Sequence, residues 1–270
     1  MDVSWGLALD GALLPVREER LFELYHENSK LSAESAADLS PGTSTSPFAL
    51  YLASRGFKQL RGAPRTALPD ARKRRTGLSE TLRRRRSARE LSTPLPLGDL
   101  STLLAEAFEP TAIVRSEERA VEQPLRPWPS AGGLYPLDVY VVAGSISGLQ
   151  PGVYHHNVLT HELERLRAPE PKTVLRDGFF WQDFIVDAAA VIVLAAVFDR
   201  SVAKYGERGY RLTLLDAGHA AQNVLLVAED LGLPAVAVGG FCDDALAAAL
   251  DLDGRAEAPL HTVVVGGADG

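Results

Sequence analysis

Apolar positions divide the chain into an irregular N-terminal part and a regular remainder. Residues 1–76 contain few long periodic apolar segments: Ser, Thr, Pro and Gly cluster at 40–47, and 61–75 is polar, basic and interrupted by proline. One short amphipathic helix is predicted over Val16–His26. Because such a segment offers little apolar surface for a core of its own, we predict an N-terminal arm over 1–76 that wraps a partner or the second subunit of a dimer.

From residue 77 onward the pattern becomes regular and predicts one folded domain over 77–270. The predicted strands are Leu137–Ala143, Val153–His155, Glu162–Arg167, Ala188–Phe198, Pro234–Val238 and His261–Val265. The predicted helices are Leu78–Arg86, Leu100–Phe108, Tyr210–Leu231 and Asp243–Leu250. Strands and helices are mixed without a strict βαβ repeat, so we predict an α+β fold with a central sheet flanked by helices.

Composition narrows the class of protein. The chain has 270 residues, a formal net charge of −7 and a single cysteine, Cys242. The negative charge argues against a nucleic-acid partner, since that binding depends on cationic contacts with phosphate. One cysteine cannot form an internal disulfide or a cysteine-based metal site. The absence of disulfides fits a protein of the reducing cytoplasm. The most apolar stretch, 188–198, is far too short to span a bilayer, so we expect no membrane partner.

Two motifs suit phosphate or a flat ligand. The first comprises Arg85, Arg86, Ser87 and Arg89, where guanidinium groups and a hydroxyl match a phosphate or the polar edge of a flavin, with a solvated helix end as the alternative. The second is the proline-stiffened run Pro129, Ser130, Ala131, Gly132 and Gly133. Its glycines let the backbone approach a flat ligand closely, and a structural turn is the alternative. The sequence contains no Gly-x-Ser-x-Gly motif of serine hydrolases, no Gly-x-Gly-x-x-Gly motif of Rossmann folds and no P-loop.

Candidate chemistry also follows two predicted strands. Lys204 and Tyr205 lie in a predicted loop after the strand 188–198. Lys204 could act as a base if desolvation lowers its pKa, and Tyr205 could share the proton; a solvated surface lysine is the alternative. Gly239 and Gly240 follow a short strand and could present backbone N–H groups to a ring nitrogen, or form a plain turn.

Polar residues elsewhere have structural interpretations. His155, His156 and His161 lie around a predicted hairpin on alternating faces, with no cysteine or clear carboxylate at ligand spacing, so we assign no metal ligand. Asp216 and His219 lie in the long predicted helix, where a hydrogen-bond network or a dimer interface would satisfy them.

Taken in order, these motifs resemble the nitroreductase-like flavoproteins, and more narrowly the SagB/ThcOx-type azoline dehydrogenases. The matching segments are Arg85–Arg89, Pro129–Pro136, Gly152–His155, Lys204–Arg211, Leu215–Asn223 and Gly239–Phe241, with Tyr25–Lys30 as an N-terminal element. The resemblance covers about Leu78 to Gly267. It implies a nitroreductase-like α+β fold with a mostly antiparallel sheet, FMN as cofactor, and a homodimer with each FMN at the subunit interface.

The resemblance also implies roles for the motifs. The arginine motif would hold the FMN phosphate, the run Pro129–Gly133 would reach the flavin from the partner subunit, and Gly239 and Gly240 would lie near N5. Lys204 and Tyr205 match the pair regarded as catalytic in azoline dehydrogenases. Many related proteins carry a basic residue just after the last strand, which this chain lacks. We expect Arg208 or Arg211 to replace it.

The function implied by the resemblance is oxidation of thiazoline or oxazoline rings in a modified peptide to thiazoles or oxazoles. Oxygen would be the electron acceptor, and a cyclodehydratase is a candidate partner. The candidate segments for recognising the peptide are Arg72–Arg75 and Glu109–Glu122. The second belongs to a charged loop predicted over Glu109–Arg126. The alternatives are NAD(P)H-dependent reduction of nitroaromatics or quinones, oxidation of a carrier-bound nonribosomal intermediate, and a non-catalytic scaffold.

Overall fold

The computed structural model describes residues 21–30, 57–72, 77–116, 121–179 and 182–268. The described helices are α1 Leu21–Asn28, α2 Leu78–Arg84, α3 Leu97–Phe108, α4 Pro171–Gly178, α5 Asp183–Val186, α6 Asp199–Tyr205, α7 Arg208–Leu231 and α8 Asp243–Ala249. The described strands are β1 Arg65–Ala67, β2 Leu95–Pro96, β3 Ala112–Ser116, β4 Val121–Leu125, β5 Leu137–Ala143, β6 Ile146–Ser147, β7 Gly152–Asn157, β8 Glu162–Arg165, β9 Ala190–Val197, β10 Ala235–Val238 and β11 Glu257–Val265.

A seven-stranded sheet forms the centre of the fold, in the order β1-β8-β7-β5-β9-β11-β10. Each neighbouring pair of strands in it is antiparallel. Strand β9 lies between β5 and β11, and its side chains are buried except at its last residue, Val197. Burial on both faces explains its near-continuous apolar sequence. The predicted α+β fold with a central antiparallel sheet is confirmed.

Helices cover both faces of this sheet. Ile192 and Leu194 of β9 pack in one apolar layer with α3 and α7, while Val191 and Val193 pack in the other with α4 and α8. The alternation follows from the two-residue period of a strand. Helix α7 ends at Leu231, and Gly232 directly after it adopts a left-handed φ of 72°. Glycine in that conformation commonly ends a helix.

Two predictions are corrected by the structure, which also describes part of the predicted arm. The segment Glu109–Arg126, predicted as a charged loop, contains the antiparallel hairpin β3–β4. Lys204 and Tyr205, predicted in a loop, belong to the last turn of α6. The predicted arm contributes β1, the edge strand that pairs with β8, so residues 57–72 contact the body of their own chain. Residues 1–20 and 31–56 of that arm, and Lys73–Arg75 of the candidate recognition segment, lie outside the described residues.

The boundaries of other elements were predicted to within a few residues. Helix α2 ends two residues before its predicted end and α3 begins three residues before its predicted start, and the predicted hairpin at 153–167 is present as β7 and β8. Across the ranges that the structure describes, no helix combines the length and the apolar character that crossing a membrane requires.

Candidate active site

Lys204 and Tyr205 lie side by side at the C-terminal end of α6. Gly206, with a φ of 55°, ends the helix immediately after them. Lys204 Nζ lies 5.3 Å from the centre of the Tyr205 ring, and both side chains are partly exposed. The helix end therefore presents an amine and a phenol together at the surface, where a substrate can reach them.

A buried ion pair fixes the helix that carries these two residues. Arg200 of α6 donates two hydrogen bonds to the Asp138 carboxylate of β5, at 2.9 and 3.3 Å, and the two side chains are 7% and 3% exposed. Burial alone would raise the pKa of Asp138, but Arg200, together with His155 and Lys58, holds that pKa below its ordinary value. Sequence reasoning missed this pair, although an acid inside an apolar strand was a signal that a cationic partner exists.

Replacing Asp138 with alanine is expected to lower the free energy of unfolding by about 3–5 kcal/mol, because the Arg200 guanidinium is left buried without its counter-charge. Urea unfolding at pH 7 measures this. The native carboxyl has a lowered pKa, so its stabilisation is present above the unfolded value of about 3.9 and is lost as the pH falls through the folded value. Asp187→Ala is the matched control, since Asp187 pairs with Lys172 on the surface, and it should leave the free energy of unfolding nearly unchanged. Equal losses in the two variants would contradict the role of Asp138.

The glycine-containing run lies directly against the Lys–Tyr pair of the same chain. Gly132 has a φ of 62°, and a Cβ placed on it would lie 2.6 Å from the Tyr205 hydroxyl oxygen and 2.7 Å from Lys204 Nζ. A side chain at this position would therefore displace the amine and the phenol. The close approach requires glycine, and it brings two motifs that are about seventy residues apart into one site.

Asp216 of α7 lies beneath this run. Burial raises the pKa of its carboxyl above the ordinary value, while contacts with Ser130 and Trp128 lower it less strongly. The Ser130 hydroxyl oxygen accepts a hydrogen bond from the Tyr135 backbone N–H at 2.9 Å, which closes the loop on itself. The interpretation of Asp216 as part of a structural network agrees with this arrangement, and the network supports the loop that faces Lys204.

The arginine motif lies at a different place in the chain. Arg86 and Arg89 line an open cavity of about 470 Å³, together with Arg84, Ala88, Glu90, Glu229, Gly232, Leu233 and Pro234. Ser87 is exposed beside it, and Arg85 is partly buried. The backbone N–H of Ala88 donates to the carbonyl of Ala235, which fixes the segment to the start of β10. The cavity thus combines guanidinium donors with access for a phosphate-sized anion.

Gly239 and Gly240 follow β10, at the opposite end of that strand from Ala88. Both are exposed, and the Gly240 carbonyl accepts a 2.6 Å hydrogen bond from Gln182 Nε2. A Cβ on Gly239 would meet only His261, at 3.9 Å. The two glycines are therefore accessible to a ligand, although the described geometry does not itself require glycine at either position.

Arg208 and Arg211 contact the N-terminal helix instead of the arginine motif. Arg208 donates to the Ser29 carbonyl at 3.1 Å, and Arg211 donates to the His26 carbonyl at 2.8 Å. Their sites at the start of α7 are remote from Arg84, which pairs with Glu229 near the end of that helix. Glu229 follows Arg208 by 21 residues, which corresponds to about 30 Å along an α-helix. The structure does not bring Arg208 or Arg211 to the cavity that the arginine motif of the same chain lines.

The predicted site residues therefore form two groups within one chain. One group contains Lys204, Tyr205 and the run Pro129–Gly133, at the start of α7. The other is the arginine motif, which lies near the far end of α7, where Arg84 pairs with Glu229. Gly239 and Gly240 lie apart from both groups, at the end of β10 opposite Ala88. Because Lys204 precedes the start of α7 and the arginine motif lies near its end, the structure does not join these two groups within one chain.

Comparisons with known proteins agree with this fold. The chain is 37% identical over 190 residues to MJ1384 of Methanocaldococcus jannaschii, provisionally named a nitroreductase, covering 70% of this chain and 90% of the relative. It is 31% identical over 140 residues to the microcin B17-processing protein McbC of Escherichia coli, covering 50% of this chain and 52% of McbC. A crystal structure provisionally named a nitroreductase, from Anabaena variabilis, superposes with a TM-score of 0.70 at 27% identity, covering 90% of this chain and 45% of that one.

The chain thus spans about half the length of McbC and of the Anabaena protein. The resemblance expected from the sequence, to nitroreductase-like proteins including one that processes a peptide, is confirmed. The sequence profile of the Nitroreductase family matches residues 82–267, which contain the arginine motif, the glycine-containing run and the Lys–Tyr pair. The chain belongs to the Nitroreductase family.

Proposed function

We propose that this protein is an FMN-dependent dehydrogenase that oxidises thiazoline or oxazoline rings of a modified peptide to the aromatic azoles. The observation that carries the proposal is the contact of Gly132 with Lys204 and Tyr205. It joins the pair that resembles the catalytic pair of azoline dehydrogenases to a loop shaped for a flat ligand. The similarity to a microcin-processing protein supports a peptide substrate.

The residues present fit FMN. Arg86 and Arg89 line the cavity described above and Ser87 lies beside it, a donor set that suits a phosphate. Gly132 carries no side chain beside Lys204 and Tyr205, which suits the close approach of a planar group to the backbone there. When bound, FMN would supply the two-electron acceptor that no side chain of this protein provides.

The separation of the two groups supports a site built from two chains. We assign Arg85, Arg86, Ser87 and Arg89, with Gly239 and Gly240, to one subunit of a homodimer. The run Pro129–Gly133, with Lys204 and Tyr205, would come from the partner subunit. In a two-fold symmetric dimer each chain contributes both groups of residues, so the dimer contains two identical and complete sites. Arg208 or Arg211 could then complement the arginine motif only across the interface.

The proton transfer is the step that the protein itself performs. In an azoline, the ring C–H next to both the C=N and the carbonyl group is acidified, so a base can remove that proton. Lys204 Nζ is the assigned acceptor, and the Tyr205 hydroxyl can share the proton because both lie against Gly132. Closure of the site over Lys204 by flavin and peptide would exclude water from the proton transfer.

Partners follow from the same proposal. Oxygen would reoxidise the reduced flavin, and a cyclodehydratase would supply the azoline peptide. The β3–β4 hairpin is a candidate peptide contact because it is charged and its Ile113 side chain is 55% exposed. Reduction of nitroaromatics with NAD(P)H is the second candidate, favoured by the similarity to MJ1384.

The experiment is to load the purified protein with FMN and to incubate it with an azoline-containing peptide in air. We expect a yellow protein and a flavin-dependent loss of about two mass units for each ring oxidised, detected by mass spectrometry. Rapid bleaching of the flavin by NADPH without any peptide oxidation would favour the nitroreductase alternative. A protein that takes up no FMN would exclude both the azoline dehydrogenase and the nitroreductase function.

A further inference from the structure

Three side chains from separate elements meet beside the β7–β8 hairpin. They are Glu109, at the C-terminal end of α3, His156 of β7, and His161 in the turn between β7 and β8. One ligand atom from each lies within 4.8 Å of the other two. We propose that these residues bind a divalent transition-metal ion of the zinc type, at a site separate from the Lys204 site.

The sequence predicted no carboxylate at ligand spacing from these histidines, but Glu109 lies beside two of them. The histidines do alternate, and His155 faces Glu164, whose carboxylate accepts its Nδ1 hydrogen bond at 3.0 Å. His156 faces the opposite layer, next to Phe108, at 6.5 Å between ring centres. The carboxylate, Glu109, comes from a position nearly fifty residues earlier in the chain, so no spacing rule on the hairpin could find it.

The environment of His156 suits a metal ligand. Its side chain is 1% exposed, and neither ring nitrogen makes a hydrogen bond to any residue within the described ranges. Leaving a buried polar group without a partner costs about 1–3 kcal/mol, so an unsatisfied imidazole calls for an explanation.

The hydrogen bonds of Ser101 orient the ring of His161. The Ser101 hydroxyl donates to the Pro69 carbonyl, so it has no further proton to give. Its 2.8 Å contact with His161 Nε2 must therefore be a bond donated by the Nε2 proton. The other ring nitrogen, Nδ1, is in contact with the Glu109 carboxylate and is therefore the atom of His161 that a metal ion would bind.

Ligand chemistry selects the kind of metal. Two imidazoles and one carboxylate are a ligand set of zinc and of related borderline divalent ions, and not of calcium or magnesium, which prefer oxygen. Zinc holds such ligands at about 2.0–2.2 Å, so a shift of roughly an ångström in the side chains would close the set.

Charge at the site is mixed. The Glu109 carboxylate offsets one positive charge of the ion, and Ser101 fixes His161 from outside the coordination sphere. Arg126 acts against a cation, because its guanidinium lies close enough to lower the pKa of His156. The Arg126 guanidinium donates a hydrogen bond to the Leu137 carbonyl. It also lies over the aromatic rings of Phe57, Trp128 and Tyr135. We therefore expect affinity weaker than that of a structural zinc site with four protein ligands.

The test uses the full chain without a histidine tag, stripped with a chelator and titrated with Zn²⁺ against a chromophoric competitor. We expect one Zn²⁺ per chain, and no competition from millimolar Mg²⁺. His156→Gln and Glu109→Gln should each weaken Zn²⁺ binding by more than about tenfold, since each removes one direct ligand. A Zn²⁺-dependent rise in the melting temperature should disappear in the same variants.

The matched control is His219→Gln, which removes an exposed histidine of α7 that is not part of the cluster, and it should bind Zn²⁺ like the parent protein. Circular dichroism checks that each variant folds. If His156→Gln fails to fold, Glu109→Gln decides, because Glu109 is partly exposed and ends its helix. Absence of stoichiometric Zn²⁺ binding, or unchanged binding in Glu109→Gln, would overturn the proposal.

Discussion

Lys204→Ala is expected to abolish azole formation while FMN remains bound. Removal of a positioned general base typically costs about 10²–10⁴ in rate, and Tyr205 alone would leave the proton without its assigned acceptor. Gly132 lies close to Lys204, but the arginine motif is remote from it within the chain, so FMN affinity should change little. Bound flavin is measured by absorbance and azole formation by mass spectrometry under single-turnover conditions.

The control for this experiment is Lys172→Ala. Lys172 is also a lysine in a short helix, but it pairs with Asp187 on the surface and is 68% exposed. This variant should retain both FMN and the parent rate. Full azole-forming activity in Lys204→Ala, with stoichiometric FMN, would show that Lys204 is not the base and would leave the assignment of FMN binding intact.

Two inactive variants are expected to restore activity when they share a dimer. Arg86→Ala/Arg89→Ala removes donors from one half of the proposed site, and Lys204→Ala removes the base from the other half. In a mixed dimer, one site carries both defects and the second carries neither. Such dimers, isolated by two different affinity tags after co-expression, should show about half of the parent activity and hold one FMN at the intact site.

This outcome depends on the separation imposed by α7. If both halves of a site came from one chain, each site of the mixed dimer would carry a defect, and no activity would return. A protein that remains monomeric at working concentrations would contradict the two-chain site equally well. Dimers of each variant alone, prepared in the same way, are the controls for residual activity.

The sequence predicted the fold well where burial controls periodicity. Strand β9 is apolar throughout because both of its faces are covered, and β5 was predicted with its observed limits. Helix α7 ends at Gly232 because glycine tolerates the left-handed conformation there. The hairpin β3–β4 was missed because its sequence does not alternate regularly between apolar and polar residues.

Local pattern also failed where a helix is short. Helix α6 has 7 residues, too few for a clear 3.6-residue period, and its charged residues resembled those of a loop. Its place is fixed by Arg200 and Asp138, a pair 62 residues apart in sequence. A contact of that kind depends on the register of β5 against β9, which no local rule contains.

The sequence by itself determined the family motifs, the central strands and the candidate residues Lys204 and Tyr205, because each depends on local composition and short spacing. Only the tertiary structure decided which of these residues share a site. It placed Gly132 against Lys204 and the arginine motif at the far end of α7, and it joined Glu109 to His156 and His161. The physical reason is that such contacts are set by strand register, helix length and the choice of sheet face, which are global properties of the packed chain.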